Sequence, residues 1–161
     1  MDILDRLIDH DAWTMRNLLS RCGELSVEQM HERFDVGHEG LYDTIMHVIG
    51  NIEVWTDLML ERPVRGTRVA PTNIEEMRVR YDAAMEEFGR LARLVRDEGR
   101  LDDFYLDVLD EPPKRKSFGG TIAHVLVHDA MHRSEMLHML QRLGVKDLIE
   151  GDVLSWEQAS K

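Results

Sequence analysis

Residues His124 to His138, HVLVHDAMHRSEMLH, hold four of the chain's eight histidines, and His124, His128 and His132 recur every fourth residue. On an α-helix a step of four advances a side chain by only about 40°, so neighbours in this series project from one face, one turn apart. Two neutral imidazoles so placed can bind one divalent ion through ring nitrogens, with at least one more donor from elsewhere. A histidine in so apolar a segment as LYDTIMHVIGNIEVW is more often a hydrogen-bonded core residue than a ligand, but taken with the pair on the last helix His47 becomes the candidate. Three imidazoles from two helices would leave positions open for water or substrate, as in a catalytic rather than a structural site. Three consecutive turns span about 80°, wide for one small ion, so either His124 or His132 stands behind the ligands.

The acids near this series are weighed in the same way. Glu135 lies about 20° from His128 around the helix and is the candidate catalytic residue, as an acceptor for a ligand imidazole or a proton carrier, with a solvated helix-face acid as the equal alternative. HDAMH has zincin spacing with Asp129 where that motif has glutamate; the shorter acid would not reach a metal-bound water in the same way, and a protease reading is set aside. His138 sits near a helix C-terminus, where the dipole favours a cation, and is read as structural. His10, His31 and His38 fall in polar stretches and are read as surface residues. The single cysteine, Cys22, permits no intrachain disulfide or cysteine-based zinc site and reads as a small buried apolar residue.

Four segments must position these groups. Leu4, Leu7, Ile8, Ala12, Met15, Leu19 and Cys22 share a helical face; Leu41, Ile45, Val48, Ile52, Trp55 and Met59 form a second; Ile74, Met77, Tyr81, Ala84, Phe88, Leu91 and Val95 a third. With stop signals at Gly23, Pro63, Gly99 and Gly144, helices are predicted over about 2–22, 41–61, 73–98 and 121–143. SVEQ and TNIE read as capping boxes, VGHEG as a loop, and DEPPKRKSFGG as incompatible with helix interior because of its prolines and glycines. LDDFYLDVL could hold a short strand, and the tail after Gly144 either packs back or frays. Val125, Ala130, Met131, Met136 and Met139 around the histidine pair predict an inward face there. The fold class expected is all-α, a four-helix bundle forming a single domain over 1–161.

Bulk properties narrow the function. The 161 residues carry 31 acids against 20 lysines and arginines, a formal charge of -11, which repels a phosphate backbone and disfavours nucleic acid as a partner. The acidic start MDILDRLIDHD and the lack of a long uninterrupted apolar run predict a cytoplasmic protein with no membrane partner.

TIMHVIGNIEVW in the second helix, taken with HVLVHDAMHRSEMLHMLQRLG in the last, resembles the DinB/YfiT-like superfamily of metalloenzymes. The likeness runs in helix order from Trp13 to Gly144. It implies a four-helix bundle whose metal ligands are His47, His128 and His132, which favours His132 over His124. It also implies a divalent cofactor (zinc or nickel first, iron or manganese as alternatives), a small-molecule substrate and a homodimer. Ser134 and Glu135 stand where the family pattern often has glycine and glutamine, which leaves the neighbouring pocket's chemistry open. Characterised members include S-transferases and isomerases that use bacillithiol or mycothiol. The expected function is therefore metal-dependent transfer of a low-molecular-weight thiol, or a related hydrolase or isomerase reaction. The alternatives are a non-catalytic metal-binding stress-response protein and a helical dimerisation module whose histidines bind nothing.

Overall fold

A computed structural model describes residues 1–66 and 69–160. In these residues the chain forms α1 (Ile3–Cys22), α2 (Val27–Met30), α3 (Leu41–Met59), α4 (Ile74–Asp97), β1 (Phe104–Asp107), β2 (Lys114–Ser117), α5 (Phe118–Arg142) and α6 (Val153–Ala159). The four long helices make an all-α bundle in which α1 and α3 each pack against both α4 and α5. Each therefore buries two adjacent flanks, and the apolar stripes read from the sequence meet in one continuous core. Ile45, Ile49, Ile52, Tyr81, Phe88, Met136 and Met139 at its centre are almost completely shielded from solvent; burial on this scale contributes about 1.5–3 kcal/mol for each large apolar side chain. Leu7 is the exception in the first stripe, at 37% exposure. No helix among the described residues is long and apolar enough to cross a membrane.

Capping explains most boundaries. Asp2 and Asp5 form a reciprocal box at the start of α1, and Ser26 with Gln29 does so for the single turn of α2. In TNIE the cap is Asn73, whose side chain accepts the Glu76 N–H at 3.0 Å, while Glu76 reaches back to the Thr72 N–H at 2.7 Å. The cap thus lies one residue later than predicted, and because Glu76 accepts from Thr72 and not from Asn73 itself it is not the reciprocal box expected. The third and fourth boundaries otherwise differ from expectation mainly at α5, which begins at Phe118 and takes Gly119 and Gly120 into its first turn. The reason is a close approach: the Gly119 N–H donates to the Leu101 carbonyl at 2.8 Å, and a Cβ there would stand 2.9 Å from that oxygen. The glycines that look like helix breakers permit the helix to start here.

LDDFYLDVL does contain a strand, and β1 pairs antiparallel with β2 in the register Tyr105↔Lys116. The ribbon is tied to the head of α5 by Tyr105, whose hydroxyl lies 2.7 Å from Thr121 Oγ1. The tail packs back: Asp152 caps α6, buried Trp156 sits edge-on to His10, and α6 lies along α1. His10 is in consequence a buried residue, not a surface one, with Nε2 donating to the Gly151 carbonyl at 2.8 Å.

Candidate metal centre

α3 and α5 cross with His47, His128 and His132 pointing at one another. His47 Nε2 lies 3.0 Å from His128 Nε2, and His128 Nε2 lies 3.2 Å from His132 Nε2. Nitrogens sharing a tetrahedral ion at about 2.0–2.1 Å are separated by about 3.3 Å, so both spacings are close to the edge of a metal coordination polyhedron. Protons alone serve this arrangement badly. A neutral imidazole nitrogen offers one hydrogen or one lone pair, and His128 Nε2 faces two partners at once. A cation between the three nitrogens would satisfy all three lone pairs, and the donor set therefore fits a divalent ion.

A further imidazole joins them. Ligand nitrogens of His38, His47 and His132 all lie within 4.8 Å of one another, positioned as a group that could hold a metal. The His38 ring is stacked on that of His47 at 3.8 Å between centroids. His38 is exposed, as a surface reading implies, but its ring turns towards the cluster, which that reading missed. A histidine between two glycines in VGHEG was the signal available.

The ring orientations are held from behind. His132 Nδ1 donates to Glu135 Oε2 at 2.6 Å, which fixes the proton on Nδ1 and leaves the Nε2 lone pair facing the centre. Glu135 thus serves His132, three residues away, although the helical-wheel angle pairs it with His128. His128 Nδ1 lies 3.3 Å from Asp129 Oδ1 and 3.1 Å from the Asn51 amide nitrogen, and the Trp55 indole N–H donates to Asn51 Oδ1 at 2.8 Å. When His128 carries its proton on Nδ1, that nitrogen donates to Asp129 and Nε2 is free to ligate.

Replacing Glu135 by glutamine removes the charge behind His132 while keeping its size. Divalent-metal affinity, measured by competition with a chromophoric chelator, is expected to fall about 10-fold, at the lower end for a partner of a ligating imidazole. Unchanged affinity would show that Glu135 does not act through His132.

Burial favours the neutral form of three of these rings. Burial, then the neighbouring His38, His132 and His128, hold His47 down at about 4 from an ordinary 6.5, and burial lowers His128 and His124 as well. Neutral imidazoles present lone pairs at physiological pH. The unfolded chain takes up a proton on His47 below about 6.5 and the folded chain only near 4, so this residue's contribution to stability is present above 6.5 and is lost as pH falls towards 4. In metal-free protein, the gap between wild type and His47→Gln in urea-unfolding free energy should change in the glutamine variant's favour between pH 7 and pH 5. NMR should place the His47 titration near 4.

Not every residue expected at the centre reaches it. His124 is exposed, edge-on to Trp55 at 5.4 Å and 5.5 Å from the His128 ring. It lines a cleft of about 350 Å³ together with Trp55, Arg115, Lys116, Ser117 and Thr121. Lys116 sits over the Trp55 ring and pairs with Asp107. His138 is exposed and His31 stacks on Tyr42, both away from the cluster. Val125, Met136 and Met139 are buried as expected, whereas Ala130 and Met131 face outward.

No curated protein matches this chain. A family model described as the DinB superfamily matches residues 10–136, a span that includes His38, His47, His128, His132 and Glu135.

Proposed function

The chain belongs to the DinB superfamily, and on that premise we propose that it is a divalent-metal-dependent enzyme acting on a low-molecular-weight thiol of the bacillithiol or mycothiol type. His47, His128 and His132 would hold the ion, with zinc or nickel the favoured occupants. The observation that carries this reading is the meeting of three Nε2 atoms from α3 and α5 at 3.0 and 3.2 Å. A divalent ion bound there supplies a place where a thiol or water loses its proton near neutral pH.

The remaining work falls to the chain's own residues. Glu135 holds the His132 ring and, half-buried beside it, is the proposed proton carrier. The cleft lined by Trp55, Lys116 and His124 borders the cluster and offers an aromatic face and a cation for the organic part of the substrate. A cytoplasmic setting, where small thiols stay reduced, suits this chemistry. A homodimer, which the resemblance implies, would have the outward apolar side chains Leu7, Val127 and Met131 available for contact; light scattering tests it.

The deciding experiment loads the purified chain with zinc or nickel, measures stoichiometry, and assays transfer of a panel of small thiols to an electrophilic chromogenic acceptor. One ion per chain with metal-dependent transfer is expected. A protein that binds no divalent ion would overturn the proposal. The bridging of α3 and α5 favours one second reading, an ion that only braces two helices. Chelation would then lower the melting temperature through loss of binding to the folded state, with no thiol or ester turned over.

A further inference from the structure

The segment between α2 and α3 is more constrained than a surface loop needs to be. Its backbone turns through positive φ on both sides of His38, at Gly37 (φ 60°) and Glu39 (φ 63°). Left-handed conformation at the non-glycine Glu39 is uncommon. The Phe34 N–H donates to the Glu39 carbonyl at 2.9 Å, and the Glu39 N–H donates to Val36 at 3.0 Å. Phe34 is buried under the Arg142 guanidinium, which also pairs with Asp35 at 2.5 Å.

The loop rests directly on the histidine centre. A Cβ on Gly37 would stand 2.6 Å from Glu135 Oε2 and 3.3 Å from Met139 Cε, so the bare glycine backbone seats against the carboxylate that holds His132, and any side chain there would push that carboxylate aside. This places the next residue, His38, over His47 with a ligand nitrogen within 4.8 Å of those of His47 and His132. Closing the gap to the tetrahedral edge of about 3.3 Å takes a side-chain shift of at most about 1.5 Å, well within the rotamer freedom of an exposed side chain.

We propose that His38 is a fourth, exchangeable nitrogen ligand, which closes the coordination shell in the resting protein and gives up its position to the substrate's thiolate. The inference rests on the three-histidine reading above. His47, His128 and His132 are fixed on two packed helices; His38 alone comes from a loop and from the solvent side, so it is the donor that can leave without disturbing the bundle. The exchange breaks one metal–nitrogen bond and forms one metal–sulfur bond, with the thiol's proton released to buffer. A closed shell of four imidazoles and an open catalytic position, usually features of different sites, are then two states of one site.

The test uses the full chain loaded with cobalt(II), comparing wild type, His38→Ala and His128→Ala. Wild type should give the intense visible absorption of four-coordinate cobalt. His38→Ala should keep one cobalt per chain with about 10-fold weaker affinity and a weaker, shifted band as water enters, and millimolar free imidazole should restore the band. 2-Mercaptoethanol should produce the near-ultraviolet thiolate–cobalt band at a several-fold lower concentration in His38→Ala than in wild type, because no internal ligand competes. If His38→Ala matches wild type in affinity, spectrum and thiol titration while His128→Ala loses the ion, His38 is no ligand and the three-histidine site stands without it. If wild type holds no cobalt, both readings fall.

Discussion

His128→Ala is expected to lower divalent-metal affinity at least 100-fold and, with it, to abolish metal-dependent turnover. His128 is the vertex of the cluster, since its Nε2 faces both His47 and His132 while those two are joined only through it in the closest contacts. Losing a partner behind a ligand typically costs 10- to 100-fold, and losing the ligand itself should cost more. The side chain is partly exposed, at 20%, so its removal opens no large cavity in the core and the fold should survive. Titration against a competing chelator, with circular dichroism as a check on folding, measures this. Affinity within a few-fold of wild type would mean that the ion, if one binds, sits on His38, His47 and His132 instead.

The second large effect concerns stability. Arg133 on α5 and Asp11 on α1 form an ion pair inside the bundle, at 4% and 1% exposure, and the Tyr81 hydroxyl from α4 donates to Asp11 Oδ1 at 3.3 Å. Asp129 is completely buried beside them, and its Oδ2 has no hydrogen-bond partner among the described residues. One guanidinium thus faces two buried carboxyl groups. Burial, reinforced by Asp11, pushes the Asp129 carboxyl well above the usual carboxylate range, with Arg133 opposing.

Arg133→Met strands Asp11 without a counter-charge, and removal of one partner from a buried pair costs about 3–5 kcal/mol. Urea unfolding at pH 7 should show this loss. The Asp11→Asn, Arg133→Met double variant should recover much of it, because the stranded charge is gone. The deficit of the single variant should also shrink as pH falls: a carboxyl whose folded pKa is raised binds its proton more readily folded than unfolded. A loss below about 1 kcal/mol would show that water reaches Asp11 and that the pair is not the keystone its burial implies.

These two sites mark where the amino-acid pattern was legible and where it was not. Helical periodicity identified all four long helices, because stripes such as Leu41–Ile45–Val48–Ile52 face a core. The His128–His132 pair and His47 were visible as polar groups inside apolar stretches. His38 was not, because its approach depends on left-handed backbone at Gly37 and Glu39, and no periodicity encodes that. His10 was misread for another reason: the helix that buries it, α6, is seven residues long and too short to show a stripe. β2 is Lys-Arg-Lys-Ser, with no apolar alternation, and is a strand only because β1 lies beside it.

The separation of His47 and His128 by 81 positions also bears on when an ion can be taken up. In an unfolded chain the two are ends of a long loop whose closure is entropically costly, and only the His128–His132 pair can meet locally. The core that brings α3 to α5 contains none of these nitrogens. Assembly of the chain therefore comes first and loading second, the reverse of a zinc finger, in which the ion nucleates the fold. A cell starved of metal would accumulate a folded, empty protein, ready for loading without resynthesis.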